Sequence, residues 1–429
     1  MKKIYENEEE LNRLVQNTSS LKSWKEFFNQ KFDQFERRKL QNISFRDLAE
    51  GNEKNYSFVH IHKEYYPSLL NAGQFFDENL SGLYRFHAQI ETLIKLIKFE
   101  QSYGVPPFLE ATYEMTIDRL AESIYATIKK IDVSELHAQH IDLTEDSLRH
   151  FQQIFELPQR WSGLLFYLFQ IGWSTLYRHS AWIEKYEEQL KEEKENKQSS
   201  LMLELALVHF AFLRKDDNEA FQKLSEIGSK AGSECLSTWL SLLLDRQEWD
   251  RMLDWLLYLQ PVLHSHMKDY YYNSESREFF HDYLHYFWKY AQNTGNEDEY
   301  ETMLADFLPI TFYEYSEFLM VLGEVERWAE LQIVMGYSPD IIQRKDLKEA
   351  KELDSKTLLP IYHQSIDKLI NDRTRKSYQT AIKYLKELRS LYASQGNEER
   401  FREYIEMLSA EYSRLRAFIE ELKKGKFIS

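Results

Sequence analysis

The sequence contains a single cysteine, Cys235, in 429 residues. One cysteine cannot form an internal disulfide, and it cannot supply a zinc site that needs several thiolates. Because Cys235 lies in the apolar stretch SECLSTWL, we predict a buried thiol. Glycine and proline are scarce, at 13 and 8 residues, and no long run alternates Val, Ile or Thr with polar residues. Few helix breakers and no strand pattern predict an all-α fold.

The sequence also lacks a leader-like start and a long apolar run. The first residues, MKKIYENEEELNRL, become acidic at once and show no apolar core, so we expect no signal peptide. The most apolar segment, residues 161–177, is near the lower limit for crossing a bilayer and contains Gln170 and several small polar residues. We therefore predict a buried helix there, no membrane association, and residence in the cytoplasm.

Acidic residues outnumber basic ones, with 70 Asp and Glu against 54 Lys and Arg and a formal net charge of −16. A chain with this charge is not expected to bind nucleic acid non-specifically as a whole. Residues 361–429 differ, because their 14 Lys and Arg exceed their 10 Asp and Glu and give a local net charge of +4. Any anion-binding surface is therefore predicted at the C-terminal end.

Apolar and aromatic residues are abundant, at 43% and 15% of the chain, and they recur at helical spacing. Trp24, Phe27, Phe28, Phe32 and Phe35, for example, fall on one helical stripe. Prolines at 106, 107 and 158 interrupt the pattern. The pattern predicts helices over residues 80–100, 108–130, 146–156 and 161–193.

A polar run at residues 187–200, EEQLKEEKENKQSS, has one apolar residue and is typical of a linker or of an exposed helix end. It divides the chain into predicted domains. These are an N-terminal helical domain over 1–190, a possible linker over 191–200, and a C-terminal helical-repeat domain with a basic end over 201–429.

Similar turns recur in the second half of the chain. The segments around Gly295-Asn296 and Gly396-Asn397 each end one helical pattern and begin another with acidic residues. Glycine can adopt the left-handed conformation at a helix C-terminus, asparagine can cap the next helix, and acidic residues suit its positive end. The pattern predicts helical hairpins that stack on one another, as in tetratricopeptide-like arrays or an α-solenoid.

A basic run near the C-terminus is the candidate binding site. Tyr378 and Tyr384 lie between its charges, and basic residues with aromatics can bind a phosphate backbone. An ordinary solvated helix face, balanced by Glu387, is the alternative. The candidate nucleic-acid-binding residues are Arg373, Arg375, Lys376, Lys383, Lys386 and Arg389.

Four histidines and a tyrosine cluster are further candidates. His281 and His285 are spaced four apart, which can place two zinc ligands on one helix face, and His264 and His266 precede them in sequence. We favour structural histidines bonded to nearby hydroxyl groups over a metal site, and we predict no cofactor. Tyr270, Tyr271 and Tyr272 could form a binding surface, although packing between helices is the favoured interpretation. No glycine-rich phosphate loop, GxSxG motif or Cys/His pair is present, so the prediction is a non-catalytic protein.

The C-terminal third resembles the bacterial SWIM zinc-finger family. The resemblance covers residues 313–429 and is carried by WAELQ (328–332), GYSPD (336–340), LPIYHQ (359–364), SYQTA (377–381) and RLRA (414–417). It implies a helical body of an accessory protein whose zinc finger is thought to bind DNA or a protein, often beside Swi2/Snf2-type helicases. That finger needs three cysteines and one histidine, so its ligands cannot be assigned to this sequence. The expected function is a scaffold that binds a protein partner, with direct nucleic-acid binding as the alternative.

Overall fold

A computed structural model of the protein describes residues 15, 20–39, 57–196, 200–228, 231, 233–266 and 274–429. Every regular element in these ranges is helical, which confirms the all-α prediction. The chain divides into two compact units, Met1–Tyr290 and Ala291–Ser429. Residues 191–200 of the predicted linker lie in the first unit, where 191–196 are helical and 197–199 are outside the described residues.

Unit 1 contains the helices numbered α1 to α13, and the boundary between the units falls near the end of α13. Their bounds are α1 Leu21–Lys39, α2 Ser57–His60, α3 Tyr66–Leu70, α4 Glu78–Tyr103, α5 Glu110–Ile128, α6 Val133–Phe151, α7 Ser162–Ser174, α8 Ser180–Asn196, α9 Leu201–Arg214, α10 Asp217–Ile227, α11 Ser233–Arg246, α12 Trp249–His266 and α13 Ser274–Thr294.

Unit 2 contains the remaining helices, which are joined by short turns. Their bounds are α14 Glu297–Asp306, α15 Phe312–Leu322, α16 Val325–Val334, α17 Arg344–Asp354, α18 Leu358–Asn371, α19 Arg375–Ser394, α20 Glu398–Glu411 and α21 Arg416–Lys424. Helices that follow one another in sequence pack together, as α15 does with α16 and α18 with α19. This packing is that of consecutive helical hairpins.

Helix α4 is the centre of unit 1. All nine residues from 86 to 94 are buried, and the helix contacts α1, α3, α5 and α6. At its start the Asp77 carboxylate accepts a hydrogen bond of 2.9 Å from the Leu80 N–H, and Gly104 ends it with a φ of 71°. The predicted helix over 80–100 is therefore confirmed, and it extends beyond the predicted range at both ends.

The predicted helix over 161–193 is two helices. Helix α7 ends at Ser174 and α8 begins at Ser180, although no glycine or proline lies between them. Tyr177 in this break is fully buried, and its hydroxyl lies 2.9 Å from the Ser147 hydroxyl of α6. Long-range packing of Tyr177 thus accompanies a break that local sequence does not show. Most apolar residues of α7 are buried as predicted, with Leu164 and Tyr167 partly buried. No helix in the described ranges has the length and hydropathy of a membrane span.

The two glycine turns have the predicted backbone conformation. Gly295 and Gly396 have φ values of 75° and 68°, and each ends a helix. Acidic residues fill the first turns of α14 and α20, also as predicted. The capping prediction for Asn296 and Asn397 is wrong, because both occupy the N-cap position but neither side chain makes the capping hydrogen bond. Cys235 is buried, as predicted.

Candidate functional site

The predicted basic residues lie around α19 in unit 2. Ile382, Leu385 and Leu388 of this helix are buried, as predicted, so the opposite side faces solvent. At 100° per residue, the basic side chains of the helix fall within an arc of roughly 140° that overlaps the edge of the buried side at Ile382, and all of them are exposed. We call these five residues the basic face: Arg375, Lys376, Lys383, Lys386 and Arg389. Arg373 precedes the helix in a turn, with a φ of 53°, and is not part of the face.

The charges of the basic face are only partly neutralised. The Arg375 guanidinium lies 3.3 Å from Glu421 and 3.5 Å from Glu420, both on α21. Hydrogen bonds from Lys424 and Arg375 lower the pKa of the Glu421 carboxyl. Within the described part of the chain, Lys376, Lys383 and Lys386 form no ion pair, although the charge of Lys383 acts on nearby Asp340. Three lysines on this face are thus available to an anionic partner.

The two tyrosines of the basic run are not available for stacking on bases, contrary to the sequence prediction. Tyr378 and Tyr384 are both 4% exposed. The Tyr378 ring packs at 5.5 Å from Phe418, and the Tyr384 hydroxyl donates a hydrogen bond to Asp340. Burial and this hydrogen bond to a carboxylate raise the pKa of Tyr384. The face therefore offers charge without these two tyrosines, and Arg389 contacts the partly buried Phe427 ring at 5.4 Å.

The histidines do not form a metal site in the described residues. His264, His281 and His285 have exposed side chains, and that of His266 lies outside the described residues. The ring of His285 lies 5.6 Å from that of Tyr286, and the bonding of these histidines to nearby hydroxyls stays a prediction. No three His, Cys, Asp or Glu side chains come together in a metal-binding arrangement within the ranges that the structure describes. The tyrosines at 270–272 lie outside those ranges.

A buried network of titratable groups in unit 1 was missed by sequence analysis. His150 of α6 lies 2.9 Å from the Glu91 carboxylate and 2.9 Å from His87, both on α4. The Lys95 ammonium lies 3.2 Å from the other Glu91 oxygen. Burial alone would raise the pKa of Glu91, but the hydrogen bond from His150, the charge that His150 carries when protonated, and the charge of Lys95 lower it to about 2.

Protonation states in this network follow from the geometry. If Nε2 of neutral His150 donates to Glu91, its Nδ1 accepts a hydrogen bond from His87 Nδ1–H. Nε2 of His87 then has no hydrogen-bond partner, and the buried indole N–H of Trp24 lacks one as well. Burial lowers the pKa of both histidines, so they are neutral near pH 7. No opening to solvent is evident at these fully buried rings, which suits a structural network rather than a reacting site.

An apolar surface at one end of the α15–α16 hairpin was also missed. The antiparallel pairing places the start of α15 beside the end of α16, since Gln332 Nε2 donates to Ser316 Oγ at 3.1 Å. Three apolar side chains at this end are exposed, and we call them the apolar end: Tyr313 at 65%, Val334 at 79% and Ile341 at 59%. Val334 is out of phase with the buried positions of α16, which is the sequence signal that could have revealed it.

Comparison with known proteins gives no functional assignment. No family model matches the chain. The chain is similar to a protein of Bacillus subtilis (strain 168) described as the uncharacterized protein YwqB, with 27% identity over 428 residues. The match covers 97% of this chain and 75% of that protein. The similarity therefore extends through both compact units.

Proposed function

We propose that the protein is a non-catalytic, cytoplasmic helical scaffold that binds a protein partner. The observation that supports this most is the apolar end formed by Tyr313, Val334 and Ile341. Single exposed apolar residues are ordinary on a protein surface, but three at one end of a hairpin favour a protein contact. Phe312 and Tyr337, which are buried or partly buried beside them, stack at 4.2 Å and hold this end of the hairpin together.

The resemblance of residues 313–429 to SWIM-family proteins suggests the class of partner. In that family the helical body accompanies a module that works beside Swi2/Snf2-type helicases, so a helicase or another DNA-processing protein is the partner we propose. The apolar end lies within the segment that carries the resemblance.

The test is affinity capture with three forms of the full-length protein. Val334→Glu places a charge on the apolar end at an exposed position, so the fold should be unchanged. Met407→Glu is the matched control, since Met407 of α20 is 57% exposed and lies in the same unit. We expect the wild type and the control to retain a stoichiometric partner and Val334→Glu to lose it. Recovery of no such partner, or equal recovery by all three forms, would contradict the proposal.

Direct nucleic-acid binding through the basic face is the second candidate function. It is supported by Lys376, Lys383 and Lys386, which share the exposed side of α19 without ion pairs in the described chain. Because the aromatic residues are buried, binding should depend on phosphate contacts and show little sequence preference. The overall charge of −16 opposes it.

Charge reversal with a matched control tests this candidate. The variant carries Lys376→Glu, Lys383→Glu and Lys386→Glu, and the control carries the same changes at the exposed Lys345, Lys348 and Lys351 of α17. Fluorescence anisotropy with labelled DNA and RNA should show binding at low salt that only the first variant loses. Salt dependence is measured as the slope of log Kd against log salt concentration. If all three lysines contact duplex phosphates, this slope should be steeper in the wild type than in the first variant by about 3. No binding at low salt, or equal loss in both variants, rules the candidate out.

A further inference from the structure

A cleft in unit 1 has no role in the function proposed above. Its volume is about 360 Å³, within the usual size range of small-molecule sites. It is lined by the end of α5, the end of α7 and the following turn, the outer side of α11, and Tyr286 of α13. These elements are far apart in sequence, so the cleft exists only in the folded unit.

Cations dominate the cleft. Arg178, Arg246 and Lys129 line it together with one carboxylate, that of Asp245. Lys129 and Asp245 form an ion pair of 2.7 Å, which leaves the two arginines as the excess charge. Neither Arg178 nor Arg246 forms an ion pair in the described part of the chain, so the cleft has a local net charge of +2.

Arg246 is held in a position that is costly for a lone cation. Its side chain is partly buried, and its guanidinium donates a hydrogen bond of 3.0 Å to the carbonyl oxygen of Ser174. The pKa of Arg246 is lowered to about 10, first by burial and then by the charge of Arg178. The charges of Glu248 and Asp245 offset the cost of the Arg246 charge only in part, so an anion that bonds both arginines would stabilise them further.

Three tyrosines, Tyr125, Tyr167 and Tyr286, also line the cleft. The rings of Tyr125 and Tyr167 lie 6.4 Å apart, and the Lys129 ammonium lies over the Tyr125 ring at 5.3 Å. Burial raises the pKa of Tyr167 to about 12, so its hydroxyl remains protonated and can donate a hydrogen bond. Tyrosine combines a flat apolar surface with a polar group, which suits a planar ring. Ser237 and Ser241 also line the cleft.

We propose that this cleft binds a small phosphorylated ligand with a planar ring, of the size of a nucleoside monophosphate. The phosphate bonds Arg178 and Arg246, and the ring lies against Tyr125, Tyr167 and Tyr286. The proposal involves no covalent change in the ligand. Binding would sense or regulate, and the cleft would not be an active site.

The test is isothermal titration of the full-length protein with AMP, adenosine and inorganic phosphate at low salt. AMP should bind more tightly than either of the other two, because only AMP has both the phosphate and the ring. Arg178→Ala, at an exposed position, and Arg246→Gln should each weaken AMP binding about tenfold or more, as expected for a lost charge-assisted hydrogen bond. Arg149→Ala is the control, since Arg149 is exposed in the same unit and outside the cleft.

A gain of affinity separates binding from damage to the fold. Asp245→Asn removes the single carboxylate of the cleft and releases Lys129, so AMP should bind more tightly to this variant than to the wild type. Misfolding cannot produce that result. The proposal is overturned if AMP does not bind at about 1 mM, a concentration that detects even weak ligands. It is equally overturned if Arg178→Ala binds like the wild type, or if AMP binds no more tightly than inorganic phosphate.

Discussion

Replacing Glu91 by glutamine should change how the stability of unit 1 depends on pH. Glutamine has the shape of protonated glutamate and can still accept the hydrogen bond from His150, but it carries no charge for Lys95. Glu91 is 5% exposed, so its ionised form depends on these two partners. The variant therefore represents the folded protein with Glu91 held in its neutral state.

The size of the effect follows from the pKa of Glu91. This pKa falls from 4.5 in a solvated glutamate to about 2 in the folded protein, a difference that corresponds to about 3 kcal/mol of stability. Because the folded-state pKa is the lower one, the stabilisation is complete above 4.5 and is lost as the pH falls toward 2. We expect the variant to be less stable by about 3 kcal/mol at pH 7 and by about 1.5 kcal/mol at pH 3.

Urea unfolding followed by tryptophan fluorescence measures this difference. The chain has 9 tryptophans, and only Trp328 lies beyond residue 290, so the signal reports mainly on unit 1. Glu91 raises the pKa of His150, so the difference between the two proteins at each pH reports on the Glu91–His150 pair together. Glu122→Gln, at an exposed position on α5, is the control and should change stability little at any pH.

Three results would refute the reasoning. The first is a gap between wild type and variant that stays constant from pH 7 to pH 3. The second is a gap below about 1 kcal/mol at pH 7, which would equal an ordinary surface ion pair. The third is the same pH dependence in Glu122→Gln, which would show a general charge effect.

Three further substitutions have predictable effects on stability. Gly172→Ala should destabilise unit 1 by about 1–3 kcal/mol in urea unfolding, because the new Cβ would lie 2.7 Å from the Phe151 ring. Gly396→Ala should lower the unfolding temperature of unit 2, measured by calorimetry, by an amount equivalent to about 1 kcal/mol, because its φ of 68° strains any other residue. Trp328→Phe should cost unit 2 about 1–3 kcal/mol in the same experiment, since the buried Ser316 hydroxyl loses the indole N–H that donates to it at 2.9 Å.

Turns with local chemistry could be predicted from the sequence. Gly295 and Gly396 need a positive φ, which glycine adopts without strain, and the acidic residues after them mark new helices. The break after Ser174 could not be predicted, because no residue in it disfavours a helix and the reason lies in the packing of Tyr177 against α6. At this break, tertiary contacts outweigh the local helix propensity of the sequence.

The same limit applies to the candidate sites. The basic face of α19 could be predicted because its spacing is that of one helix, and Lys376, Lys383 and Lys386 are exposed as the pattern requires. The cleft could not be predicted from the sequence, because Arg178 and Arg246 are 68 positions apart in the sequence and belong to different elements. Whether the protein binds a helicase, nucleic acid or another partner stays a prediction.

Helix α4 also determines the point during synthesis on the ribosome at which unit 1 can become stable. Its neighbours lie on both sides in the chain, with α1 before it and α5 and α6 after it. A nascent chain that has not reached Val133 would leave one side of α4 uncovered, with Phe86 and His87 facing water where Phe151 and His150 later pack. Such surface attracts chaperones or other unfinished chains. We therefore expect truncated chains that end before α6 to be degraded or aggregated, whereas chains that extend past Phe151 can enclose the helix.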